Sequence, residues 1–300
     1  MFVYDADDAL AGFVAPYLDD GREAGEALIA AFVPDKQSLV RDALGAASGD
    51  VEFADARDVY TRPESTIATY DTTVRRLLRD GARSIRFVGE LPRFEARPQW
   101  DPWVLYEALL NRAFAHYPVR IMCTYDERVV PAAVVQASRR AHPRVHDRRR
   151  LGDERHDGPE LDPAAMARTL TPEPQPLPGL RETPAGDGCR GLRERLREEL
   201  AAAEVAPDRA AGLLLAAEEV YVNAVRHAGG PPTLRVGRVD GHFVCELSDG
   251  GPGLDDPLAG HLPPRDGARS GAGLWVARQC TARLEHLPIP GGGLTTRLWV

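Results

Sequence analysis

The residues of this chain best suited to chemistry lie in its last third. In EEVYVNAVRHA (218–228), Glu219 and Asn223 stand four apart, with Arg226 and His227 at i+7 and i+8. That spacing puts all four on one face of a helix. Asn competes with the helix backbone for hydrogen bonds and is a mediocre helix former, so its place among good formers asks for a reason. The other face carries Leu213, Ala217, Val220, Ala224 and Ala228, with Leu214, Tyr221 and Val225 beside them, and reads as core. Taken alone, the polar face is what a solvated helix shows. Further on, DGGPG (249–253) ends an apolar run. A carboxylate at a strand end, followed by glycines, can accept from an exocyclic amine while bare backbone approaches a flat ring. GAGL (271–274) then opens a helix whose N-terminal N–H groups and dipole suit a phosphate.

The elements that must position these groups can be read around them. CRGLRERLREELAAAEV (189–205) and DRAAGLLLAAEEVYVNAVRHA (208–228) are helical. TLRVGRV (233–239) and HFVCELS (242–248) alternate as strands about a tight Asp240-Gly241 turn, a hairpin signal. A mobile loop without clear periodicity (254–270), a helix over 271–284, GGG (291–293) and a last strand, LTTRLWV (294–300), complete the order.

Helix with E-x-x-x-N, hairpin, D-x-G-x-G, loop, then G-x-G-L into a helix resembles the GHKL ATPase fold shared by gyrase, Hsp90, histidine kinases and MutL. With "NAVRHA", "DGGPG" and "GAGL", the short form spanning about 190–300 is similar to the anti-sigma-factor serine kinases. The resemblance implies an α/β two-layer sandwich that binds ATP and Mg²⁺. Magnesium takes oxygen ligands, keeps several waters and is shared with phosphates, so one side-chain carbonyl suffices to place it. On this likeness Asn223 holds the magnesium, Glu219 is the base, and Asp249 pairs with the adenine amino group. Gly251 and Gly253 let the chain pass the base, and Gly271, Gly273 and Leu274 wrap the phosphates. Arg226 and His227 flank the phosphate side, and Arg265 and Arg269 close on the γ-phosphate.

Upstream, short apolar strands alternate with helices, which predicts βαβ units and a buried parallel sheet. The strands are ALIAAFV (27–33), VEFAD (51–55), SIRFVGEL (84–91) and VRIMCTYD (119–126). The helices are SLVRDALGAA after a polar turn PDKQ, then 66–81, 103–117 and one from about Pro131. The turn FVPDKQSL sits where a P-loop would be but has no glycine, and Pro34 removes a donor. The expectation is a RecA-like α/β sheet domain without a P-loop, with Lys36 a surface residue. "FVYDADDALAGFVAPYLDDGREAGEALIAAFVP", "SIRFVGEL" and "IMCTYD" resemble the MEDS (methanogen/methylotroph sensory) domain, which implies a sensory role for residues 1–150 and no catalytic residue. The His that usually precedes that family's aromatic-acidic start is absent. A small hydrophobic or halogenated ligand would sit at the carboxyl ends of the strands, near Glu90 and Asp126, although both acids read equally as strand-end caps.

Between the halves, 151–188 reads as a linker; seven prolines fall in 158–188. The basic stretch SRRAHPRVHDRRR (138–150) reads as a solvated connector, or as a patch for an acidic partner. Net charge is −8, which argues against a broad nucleic-acid surface while leaving room for a local basic patch. No apolar run approaches membrane-spanning length, and the N-terminus lacks a signal-peptide h-region; a cytoplasmic protein is expected. Cys123, Cys189, Cys245 and Cys280 form no CxxC pair, so four reduced thiols are expected rather than disulfides or a zinc site.

The function expected is an ATP- and Mg-dependent anti-sigma-factor-type serine kinase controlled by a sensory domain. Its partners would be a STAS-type antagonist or a sigma factor, with a homodimer compatible. The alternative is a non-catalytic, ATP-switched binding protein that sequesters one of them. A histidine kinase would need a helical hairpin bearing a phosphoacceptor His where the proline-rich segment stands.

Overall fold

Strands as uniformly apolar as ALIAAF (27–32) must be covered on both faces, and the first half of the chain does this. The computed structural model describes residues 1–92, 100–147, 150–155, 161–172, 175–264 and 272–300. Two units divide the chain, Met1–Pro163 and Ala164–Val300. The first begins β1 (Phe2–Tyr4), α1 (Asp7–Glu23), β2 (Ala27–Phe32), α2 (Pro34–Leu44), β3 (Val51–Asp55), α3 (Ala56–Val59) and α4 (Pro63–Arg79). It continues β4 (Ile85–Glu90), α5 (Asp101–Phe114), β5 (Val119–Asp126), α6 (Ala132–Ala141), β6 (Arg144–Asp147) and β7 (Arg150–Arg155). The sheet order is β3-β2-β4-β5-β1-β6-β7. Neighbours pair in parallel except β6 with β7.

One face of this sheet packs Leu28, Ala30, Phe32 and Val88 against Leu10, Val14 and Leu18 of α1 and Val40 of α2. Phe87, one residue from Val88, points the other way. There Tyr70 of α4 stacks on it at 4.8 Å, and Tyr60 meets Trp103 of α5 edge-on at 5.9 Å. The parallel sheet expected from the sequence is present.

Three local expectations differ. The turn expected at PDKQ is the first turn of α2, because Pro34 at N1 gives up only an N–H that a helix start leaves unpaired. Lys36 is therefore carried on a helix and held inside: its side chain is 16% exposed and ion-paired with Glu90. The basic stretch expected as a connector adds β6 beside β1, with His142 buried at the end of α6.

The second unit is an antiparallel sheet backed by helices. It contains α7 (Pro163–Leu170), β8 (Arg181–Thr183), α8 (Gly188–Ala202), α9 (Pro207–Ala228), β9 (Thr233–Val239) and β10 (His242–Asp249). Then follow α10 (Ala272–Cys280), β11 (Arg283–Pro288) and β12 (Leu294–Trp299). The order is β11-β12-β10-β9-β8. Leu192, Leu196 and Leu200 of α8 and Leu213, Ala216, Ala217 and Val220 of α9 pack with Leu234, Val236, Cys245, Leu247 and Leu298 of the sheet. Asp240 (φ 49°) and Gly241 (φ 81°) make the hairpin turn of β9 and β10.

Here too the sequence expectation needs amending. The segment expected as a linker contains β8, which closes one sheet edge by pairing with β9. The helix expected over 271–284 stops at Cys280, and 283–288 is strand β11, paired with β12. Val225, expected in the core, is 42% exposed.

Candidate nucleotide site

Helix α9 is long enough to carry both a core stripe and a working face. Its N1 position is Pro207, and Gly229 in the left-handed conformation (φ 75°) ends it directly after Ala228. Glu219 and Asn223 sit one turn apart and half-buried, with Arg226 and His227 exposed at the last turn.

Two glycines bring α10 close against this helix. A Cβ on Gly273 would collide with the Glu219 carboxylate, and one on Gly212 would collide with the Cys280 carbonyl. Residues 212 and 219 on α9, and 273 and 280 on α10, are each seven apart. The two helices therefore run antiparallel along a close seam, with backbone against backbone at Gly212 and the Glu219 side chain laid over Gly273. That seam delivers the first turn of α10, whose N–H groups have no intrahelical acceptor, beside Glu219.

The sheet supplies the third wall. Asp249 ends β10, and its Oδ1 accepts from the Gly251 N–H at 2.8 Å. Strand β10 is held on both sides by one acid: Glu246 accepts from Arg235 on β9 at 2.9 Å and from Arg297 on β12 at 2.7 Å. The result is a cavity of about 340 Å³. Of the residues expected at the site, Glu219, Asn223, Arg226, His227, Asp249, Gly253, Gly273 and Leu274 line it together. Gly251 acts from behind, through its bond to Asp249. Arg265, Arg269 and Gly271 lie outside the described residues. Among the described residues, no side chain takes up the Glu219 carboxylate or the Asn223 carboxamide in a hydrogen bond.

Sequence reasoning missed His286 and Thr296, which also line the cavity. They face each other across β11 and β12, with His286 Nδ1 3.1 Å from Thr296 Oγ1. His286 Nε2 is buried and, among the described residues, has no hydrogen-bond partner. His286 lies just past the helix expected over 271–284, in a stretch the sequence reading gave no element, so only recognition of β11 would have found it. The loop expected to be mobile is, over 257–261, a turn pinned by the buried Leu258.

Two histidines make this unit acid-sensitive. Burial, then Arg278, push the pKa of His261 down to about 3 and that of His286 well below the usual value. The unfolded chain protonates both near 6.5. Their folded pKa values are depressed, so stability is complete above about pH 6.5 and falls as the pH drops toward 3. The slope is roughly 1 kcal/mol per pH unit for each histidine. Urea unfolding from pH 7.5 to 5 should show this loss, and His261→Asn should reduce its slope by about half.

Residues 184–298 match the family of the histidine kinase-like ATPase domain, and residues 1–143 match MEDS, the methanogen/methylotroph, DcmR sensory domain. The chain joins a MEDS domain to a histidine kinase-like ATPase domain. An NMR structure of the histidine kinase domain of the E. coli osmosensor EnvZ is similar at 22% identity, covering 42% of this chain and 90% of that one, with a TM-score of 0.25. No curated protein matches significantly. A sensory domain joined to a kinase-type ATPase domain is the organisation of a signalling regulator. Among the described residues, no helix is long and apolar enough to cross a membrane.

At the carboxyl ends of the MEDS sheet, the acids expected near a ligand are paired. Lys36 Nζ donates to the Tyr4 hydroxyl at 2.6 Å and lies 3.4 Å from Asp126, besides its pair with Glu90. Burial raises the pKa of Glu90. For Asp126 burial also acts upward, but the Arg128 guanidinium and backbone N–H outweigh it and hold the carboxyl low. Lys36 is thus an internal counter-ion rather than a surface residue.

Proposed function

We propose that the chain is an ATP- and Mg²⁺-dependent protein kinase of the anti-sigma-factor type, controlled by its MEDS domain. The observation that carries this reading is the single cavity that gathers Glu219, Asn223, Asp249 and the first turn of α10. Magnesium, when bound, neutralises phosphate charge and fixes the transferring group; the Asn223 carbonyl oxygen is the side-chain ligand that would hold it. Asp249 has one oxygen committed to Gly251 and the other left for the exocyclic amine of adenine. Glu219, backed by Gly273, is placed to accept the proton of an attacking serine hydroxyl. Arg226 and His227, exposed at the rim, flank the phosphate side.

The acceptor in this reading is a serine on a small STAS-type antagonist, and a sigma factor is a second partner. The test is incubation of the full chain with γ-labelled ATP, Mg²⁺ and a candidate antagonist. Acid-stable label on the antagonist is the expected result. Acid-labile label on the chain itself would make it a histidine kinase instead. Tight nucleotide binding with no transfer to any antagonist would favour a non-catalytic switch.

A further inference from the structure

Three groups of different chemistry meet inside the MEDS domain, among residues that the candidate nucleotide site does not use. Glu107 comes from α5, Cys123 from β5 and His142 from the end of α6. Their donor atoms all lie within 4.8 Å of one another. Cys123 Sγ donates to Glu107 Oε2 at 2.9 Å, and His142 Nε2 lies 3.3 Å from the same oxygen. The Tyr125 hydroxyl donates to Glu107 Oε1 at 2.7 Å. His142 Nδ1 is 2.8 Å from the Ser138 carbonyl oxygen, an acceptor only, so Nδ1 carries the ring proton.

Glu107 Oε2 thus faces both Nε2 and Sγ, and the three atoms lie close enough for one cation to bridge. With a carboxylate, a thiolate and a neutral imidazole around it, a divalent cation makes a site of zero net charge, which avoids the cost of an uncompensated buried charge. Tetrahedral zinc with these donors sets them roughly 3.3 to 3.8 Å apart, which small side-chain shifts from the observed spacing reach.

We propose that Glu107, Cys123 and His142 bind one zinc-class divalent ion. Mixed sulfur, nitrogen and oxygen donors select this class over magnesium or calcium. The Nδ1 bond to Ser138 orients the imidazole as second-sphere partners do in metal sites. Three protein ligands leave one position open. All three line a cavity of about 180 Å³ walled by Leu110, Phe114, Val119 and Ile121. A water or a small molecule with a thiol or anionic donor can complete the coordination there, which would give the sensory domain a chemical means of detecting it.

The test is Co²⁺ titration of chelator-treated full-length protein. We expect saturation at one equivalent, with a thiolate-to-cobalt charge-transfer band in the near ultraviolet that Zn²⁺ abolishes. The band should be lost in Cys123→Ser and His142→Gln and kept in Cys189→Ser. A magnesium-type site at Asn223 binds cobalt without that band, so the result does not depend on the proposed kinase activity. Should the variants misfold, the wild-type chain still decides. One equivalent of Zn²⁺ should slow alkylation of Cys123 at least tenfold and leave Cys189 unchanged. Folded wild-type protein with no charge-transfer band, a band that persists in Cys123→Ser, or unprotected Cys123 would overturn the proposal.

Discussion

Asn223→Ala should weaken magnesium-dependent ATP binding on the order of 100-fold and leave the fold intact. Asn223 is half-buried on the working face of α9 and makes no side-chain hydrogen bond among the described residues, so its removal orphans no protein group. What disappears is the carboxamide oxygen to which the proposed function assigns the cation. Outer partners of metal ligands alone are worth 10–100-fold, and a ligand itself is worth at least as much. Calorimetry with a non-hydrolysable ATP analogue, with and without Mg²⁺, separates the terms. The loss should appear only with magnesium. Glu219→Gln should do the opposite: binding within about twofold, and phosphoryl transfer down by roughly 10²–10⁴, the share of a general base. Equal loss of binding with and without magnesium would remove Asn223 from its assigned role.

The second large effect belongs to the MEDS domain and is one of stability. Lys36→Met should destabilise that unit by about 3–5 kcal/mol, the usual result of stripping one partner from a buried ion pair. Lys36 is the cation between Glu90 and Asp126, and the Glu90 side chain is 11% exposed. Asp126 keeps Arg128, at 2.7 Å; among the described residues Glu90 keeps only hydroxyl partners, Tyr4 and Thr124. Burial already raises the Glu90 pKa, so without Lys36 the carboxylate should take a proton more readily still. An acid whose folded pKa is raised costs stability above its unfolded pKa, and the penalty shrinks as the pH falls. Hydrogen exchange in β4 and β5, which reports on this unit alone, should accelerate at pH 8 and recover part of its protection near pH 5. Lys36→Met with Glu90→Gln should restore most of it. Unchanged exchange in the single variant would show that the pair contributes little.

The elements around the nucleotide cavity were legible because each is a local device. A stripe at helical spacing, glycines at the start of a helix and an Asp-Gly turn are set by residues a few positions apart. Glu219, Asn223, Asp249 and Gly273 could therefore be named from their order. Strand β11 was missed because ARLEHLP follows a helix without a glycine or proline to announce the break. With it went His286, whose role depends on lying opposite Thr296. In the first unit, β1 is three residues long and polar immediately afterwards, too short for a period to show; only its place between β5 and β6 makes it a strand.

Local pattern, then, determined the longer helices and the apolar or alternating strands, the sign and size of the net charge, and the ordered motif of an ATPase domain. What it could not reach is any relation set by strand order. Lys36 reads as surface until β2, β4 and β5 are laid side by side and Glu90 and Asp126 close around it. Cys123 looks like a solitary thiol until α5 and the end of α6 bring Glu107 and His142 to it from 16 and 19 residues away. Periodicity tells a residue which face it occupies, but which neighbours meet that face is decided by the packing of the whole sheet.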